Sequence, residues 1–215
     1  VYSEAGTTTI NGGEFDGNGN NVWTDTGATV NIYGGDFKQT NSGSFNTDKG
    51  TINVMGGFYY DDPTARVATG YHTIEINPTL YTVMKYRDNA YIIENTFDFD
   101  AFSTIVDKGA TFEGAVVKLT EDIDLFKGYM DDGDPISTNP VGQRDYNTGK
   151  DYAHAFKGTF DGQNHAIKNL YQNGWALGYY SGKYGAVGLF SRVENAEIKN
   201  LVIDNCEIIV EGGNV

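Results

Sequence analysis

The sequence predicts an all-β chain folded as a parallel β-helix, a β-solenoid in two tandem segments with a short capping helix between them. Three observations predict it. The strings TINGGEF (9–15), VNIYGGDF (30–37) and TINVMGGFY (51–59) superpose at a constant offset of 22 residues. Inside each copy apolar and polar residues alternate, the period of a half-buried strand. The composition is turn-rich, with 28 glycines, 15 tyrosines and 12 phenylalanines against 4 prolines, and Asn, Thr and Asp as polar fill.

The first segment, residues 1–95, rests on that repeat. Ile10, Ile32 and Val54 share one column, Gly12, Gly34 and Gly56 a second, and Phe15, Phe37 and Tyr59 a third. A fixed period with strand patterning means that each copy buries one face against the next, so that no copy is stable alone. Leucine-rich repeats need a leucine ladder, and residues 1–83 hold only Leu80. A propeller blade needs about 40 residues for its four strands. The β-solenoid remains. Its paired glycines suit a sharp corner, because glycine reaches positive φ without steric cost, and the aromatic after them points inward and stacks on its neighbours. A fourth copy keeps register through Ile74, Ile76 and Tyr81, although Pro78 and Thr79 stand where the glycines were.

Near residue 95 the register stops. Phe99, Phe102, Ile105 and Val106 fall on one helical stripe, with acids at its start and Lys108-Gly109 as a cap at its end. This helix is expected to cover the open end of a second solenoid, residues 96–215. Strand patterning returns in VVKLTEDIDL (116–125), with Val117, Leu119, Ile123 and Leu125 inward. GTFDGQNHAIKNL (158–170) then matches GLFSRVENAEIKNL (188–201), which pairs Phe160 with Phe190, Ile167 with Ile198 and Leu170 with Leu201 on rungs of about 30 residues. Asn169 and Asn200 recur inside IKNL, either as a stacked corner ladder or as ordinary turn residues.

These strings carry a resemblance. LTEDIDL, PI (135–136), FKGTFDGQNHAIKNL and GLFSRVENAEIKNLVIDN resemble the GLUG-type repeats of large bacterial surface proteins, common in gut bacteria, and of some phage appendage proteins. INGGEF, VNIYGGDF and DDPTARVATGY…YTV are similar to the glycine-rich repeats often found beside them. The resemblance covers nearly the whole chain. It implies a right-handed parallel β-helix, secreted or displayed on a bacterial cell surface, or on a virion in the phage case, and it implies no reaction. The tryptophan usual before PI is absent, since this chain reads GDPIS (133–137).

Composition narrows the partners. Fifteen basic against 29 acidic residues give a net charge of −14, which argues against nucleic acid and anionic membrane. No apolar run approaches the ~20 residues of a membrane span, and the N-terminus carries no signal peptide. The chain begins inside one strand pattern and ends just after another, at IIVEGGNV, and so reads as a fragment of something longer. Cys206 is the only cysteine and leaves no internal disulfide; its alternation with Ile203 and Ile208 suggests a buried structural thiol.

The expected function is a non-catalytic adhesin or fibre module, a rigid rod presenting loops to a host or microbial glycan or surface protein. The candidate ligand-binding residues are Trp175, Tyr179, Tyr180 and Tyr184, set among glycines outside the repeat register, and Trp23 in NNVWTDTG. Their rings combine apolar area with a polar edge, which suits sugar faces and protein partners; the alternative is packing onto the solenoid flank. A polysaccharide lyase or hydrolase is the enzyme alternative, because FDGQNH (160–165) resembles the DGQG of polygalacturonases, but the paired acids, glycine-flanked histidine and RIK of those enzymes are missing. No cofactor is expected. Calcium is the weak exception, with Asp122, Asp124, Asp131, Asp132 and Asp134 as oxygen donors in EDID and MDDGDP; a solvated acidic loop is the competing account.

Overall fold

The computed structural model describes residues 1–38, 42–46, 49–126, 138, 140–142, 154–173 and 188–209. It is an all-β chain with one α-helix, and it divides into two compact units, Val1–Asp88 and Asn89–Val215. Among the described residues no helix is long and apolar enough to cross a membrane.

In the first unit the 22-residue repeat becomes in-register parallel pairing. Strands β1 (Tyr2–Ser3), β2 (Thr7–Ile10) and β3 (Glu14–Phe15) are followed one period later by β4 (Trp23–Thr24), β5 (Thr29–Ile32) and β6 (Asp36–Phe37). The third copy supplies β7 (Thr51–Val54) and β8 (Phe58–Tyr59). β1 pairs with β4, β2 with β5 and then β7, and β3 with β6 and then β8, all parallel. Ile10, Ile32 and Val54 are registered partners and all three are buried, as are Val30 and Ile52 beside them. Phe37 and Tyr59 are fully buried; the Phe37 ring stacks 4.5 Å from Phe15 and 4.9 Å from Tyr59. Each buried ring contributes on the order of 1.5–3 kcal/mol. Polar groups follow the same period. Asn53 donates to the Asn31 side chain at 2.9 Å, and the buried Asn46 amide exchanges two hydrogen bonds with the Thr24 backbone.

The two glycines of each copy do different jobs. Gly13, Gly35 and Gly57 have φ of 113°, 126° and 102°, values that side chains rarely adopt. Gly34 and Gly56 instead sit against the preceding copy: a Cβ on Gly34 meets the Asn11 carbonyl oxygen at 2.8 Å, and one on Gly56 meets that of Tyr33 at 2.2 Å. Gly12, in the first copy, has nothing within 4 Å.

That contact explains why the expected fourth copy does not form. Pro78 and Thr79 cannot approach a backbone as glycine does, and the chain reverses there: β9 (Tyr71–Asn77) and β10 (Leu80–Arg87) make an antiparallel hairpin whose turn is held by Thr79, which donates to the Asn77 side chain. Tyr81 does lie beside Tyr59, but antiparallel. Val54 is met instead by Val67, just after the 3-10 turn Thr64–Arg66.

The second unit opens with β11 (Ala90–Ile93) and the expected helix α1 (Thr96–Asp107), whose stripe Phe99, Phe102, Ile105 and Val106 is buried. Asn95 caps it by accepting from the Asp98 N–H at 3.0 Å, and Asp98 accepts in turn from the Glu94 N–H. Gly109, just past the end, has φ of 116°. Phe102 packs edge-on to Phe112 and Phe156 at 5.2 and 5.6 Å and lies 5.8 Å from Phe160.

Beyond the helix come β12 (Val116–Leu119), β13 (Ile123–Asp124), β14 (Thr159–Asp161), β15 (Ala166–Lys168), β16 (Tyr171–Asn173), β17 (Glu197–Lys199), β18 (Val202–Asp204) and β19 (Glu207–Ile209). They pair in parallel as β11-β12-β14-β17, β13-β15-β18 and β16-β19. Val117, Leu119, Ile123 and Leu125 are buried. The register differs from the expected one. Phe160 pairs with Ile198 and Ile167 with Ile203, so the repeat spans 36–38 residues here rather than about 30. The final members of these columns, Ile198, Ile203 and Ile208, are 42–43 % exposed. Cys206 between them is exposed too, which corrects the buried thiol expected from alternation: the strand face that should enclose it has no neighbour over it among the described residues.

Candidate functional site

The first unit carries an exposed aromatic pair. Trp23 and Tyr2 are registered partners on the parallel strands β4 and β1, and they project to the same face, 46 % and 62 % exposed, while Thr24 and Ser3 next to them are buried. Tyr2 donates its hydroxyl to Asp25 Oδ2 at 3.1 Å. Asp25 also accepts from the Thr26 N–H and faces Lys49 Nζ at 3.2 Å, contacts that hold its carboxyl below the usual carboxylate range. Two neighbouring rings with a carboxylate beside them make a surface that can stack on an apolar face and accept hydrogen bonds at its edge. Tyr2 was not legible as part of this pair, because nothing marks residue 2 as one period before residue 24 in the glycine-bearing strings.

The other four aromatic candidates, Trp175, Tyr179, Tyr180 and Tyr184, lie outside the described residues, as do Asp131, Asp132 and Asp134. Asp122 and Asp124 are described, and both fasten one strand layer to the next. Asp122 Oδ2 faces Lys168 Nζ at 2.7 Å and its Oδ1 accepts from the Ala166 N–H at 2.9 Å, with His165 Nδ1 at 3.4 Å; Lys168 and that N–H lower its pKa to about 2. Asp124 Oδ1 accepts from the Asn169 side chain at 2.8 Å and from the Phe126 N–H, and its pKa is lowered for that reason. Among the described residues no three His, Cys, Asp or Glu side chains converge as metal ligands.

FDGQNH is a structured corner. Gln163 and Asn164 have φ of 52° and 65°, and the 7 % exposed Asp161 carboxylate accepts from Gln163 and from Asn200 Nδ2. Burial pushes the Asp161 pKa up, but these donors outweigh it and hold it low. His154 lies 2.7 Å from the Asp107 carbonyl at the end of α1, and the His72 ring packs on Tyr86. Asparagine corners recur above: Asn169, Asn200 and Asn205 all have φ near 50°, and Asn205 donates to Asn169, which donates to Asp124. The ladder therefore runs Asp124, Asn169, Asn205, with Asn200 standing over Asp161 in a second one.

The hairpin also forms a cleft that no sequence string announced. It has a volume of about 490 Å³ and lies between the 3-10 turn and β9 in the first unit. Its residues come from the decayed copy, where the loss of the glycine signal gave no hint of a concave surface.

Neither a protein-family model, nor a curated protein, nor a solved structure matches the chain.

Proposed function

We propose that this chain is a non-catalytic module of a surface-displayed adhesin or fibre, two tandem segments of right-handed parallel β-helix that present side chains to a host or microbial glycan or surface protein. The observation that carries the reading is the run of parallel pairs at a fixed 22-residue offset through three copies, with apolar, aromatic and asparagine columns repeating on it. Such stacking gives a stiff support on which outward residues vary without redesign of the core. Helix α1, with its apolar face sunk among Phe112, Phe156 and Phe160, serves as the cap of the second segment. The exposed Tyr2–Trp23 pair supports a contact role. The acids that an enzyme reading would recruit, Asp122, Asp124 and Asp161, are each engaged in holding adjacent strands or corners together. Localisation at a bacterial surface or in the secreted fraction follows from the GLUG-type resemblance.

The test is a glycan and protein-binding screen of the intact chain alongside a reducing-end assay on plant and bacterial polysaccharides. Saturable binding with no release of reducing ends is the expected result. Depolymerisation that scales with protein concentration and survives repurification contradicts the proposal.

A further inference from the structure

We propose that the cleft between the 3-10 turn and β9 is a saccharide-binding site selective for neutral or amino-bearing sugars over sialylated and uronic ones. The inference rests on the display reading above and locates a site for it. The volume, about 490 Å³, falls within the roughly 300–1,000 Å³ of small-ligand sites. The base is apolar and anchored: Val67, Tyr71 and Tyr81 line the cleft and pack against the buried core of the first unit, including Val54 and Tyr59. Rings fixed in this way offer a stacking surface at little cost in lost side-chain freedom.

The rim is polar and partly braced. Asp62 accepts from the Thr64 N–H at 2.9 Å and from its hydroxyl, and the Thr64 hydroxyl lies 3.0 Å from that of Thr73 on β9, so the turn and the strand are tied across one edge. Glu75, two residues along the same strand, is exposed on the rim. Carboxylates and threonine hydroxyls are the groups that receive and return the hydrogen bonds of sugar hydroxyls. The two carboxylates also set the charge preference: among the described lining residues there is no lysine or arginine, and the chain as a whole carries −14. A sialic or uronic carboxylate brought to this rim meets like charge without a cationic partner, whereas an amino sugar meets a favourable one.

The experiment is titration of the intact chain with neutral, amino-bearing, sialylated and uronic oligosaccharides, repeated for Glu75→Gln, Tyr71→Ala and the outlying control Tyr33→Ala, with the fold of each checked by circular dichroism. Binding of neutral or amino-bearing sugars, weakened at least tenfold in Glu75→Gln and unchanged in Tyr33→Ala, is expected. Because Tyr71→Ala touches the core, the exposed Glu75→Gln decides the matter if the former unfolds. Binding confined to acidic sugars, or no saccharide binding at all, overturns the site. Neutral-sugar binding undiminished in Glu75→Gln overturns the cleft while leaving the display reading standing, whereas depolymerisation removes that reading itself.

Discussion

Three glycines at equivalent positions make an internally controlled experiment. Replacing Gly12, Gly34 or Gly56 with alanine adds the same methyl group at the same place in the repeat, but into different surroundings. At Gly12 the new Cβ meets nothing within 4 Å, at Gly34 it meets a backbone oxygen at 2.8 Å, and at Gly56 one at 2.2 Å with its carbon at 3.0 Å. None of the three has positive φ, so backbone strain does not distinguish them. Removing a glycine restricts the unfolded chain and stabilises by about 0.4–1 kcal/mol where the native conformation accepts alanine. Gly12→Ala is therefore expected to be neutral or slightly stabilising. Gly34→Ala demands a small shift of the adjoining strand. Gly56→Ala forces two paired backbones apart, and the cost of such overpacking, about 1–3 kcal/mol and occasionally more, outweighs the gain. Urea unfolding followed by fluorescence gives the three midpoints. The order Gly12, Gly34, Gly56, from most to least stable, is expected; a Gly56→Ala midpoint equal to that of Gly12→Ala refutes the close approach of successive copies.

Other perturbations test separate parts of the account. Phe37→Ala, which removes a fully buried ring between two others, is expected to destabilise by roughly 3–5 kcal/mol, and the half-buried end ring Phe15→Ala by clearly less; equal losses in chemical denaturation contradict the inward column. Acid should weaken the second unit. The folded-state pKa values of Asp122, Asp124 and Asp161 lie below their unfolded values, so the stability they contribute is present above the ordinary carboxylate pKa and is lost as pH falls towards 2. Thermal midpoints between pH 5 and 2 should fall less steeply for Asp122→Asn than for the parent, and parallel curves contradict that. Asn95→Ala, which deletes the α1 cap, is expected to cost about 0.5–2 kcal/mol, with Asn95→Asp restoring most of it in the same denaturation assay.

Much of the fold was legible because its signals are local or strictly periodic. The constant 22-residue offset identified the paired strands of the first unit, and the Phe99–Val106 stripe with its polar start identified α1. The failures have a physical pattern. The fourth copy looked intact because Ile74, Ile76 and Tyr81 extend the columns, yet the positions that decide stacking are the glycines, where a Cβ strikes the preceding backbone. In the second unit, IKNL occurs twice because each occurrence ends a short strand at a left-handed asparagine, Asn169 or Asn200. Those corners lie in different sheets, one on β15 and the other on β17, so equal strings record equal local conformation and not stacked register. The polar ladder was misassigned for the same reason. The cleft escaped notice because its threonines, tyrosines and acids converge only when the chain reverses at Pro78-Thr79.

Parallel stacking through three copies, and its end at the hairpin, is the claim on which the rest depends. Paired cysteines test it in a Cys206→Ser background, which has no other thiol. Asn31 and Asn53 are registered partners on β5 and β7, and neighbouring strands lie about 4.8 Å apart, within reach of a disulfide. Glu75 stands a further 22 residues on, but it pairs with Tyr81 across the hairpin. Under mild oxidation the Asn31→Cys/Asn53→Cys protein is expected to form an intramolecular bond, read as protection from alkylation by mass spectrometry, and the Asn53→Cys/Glu75→Cys protein is expected to stay reduced. A reduced first pair, or a bonded second one, contradicts the account.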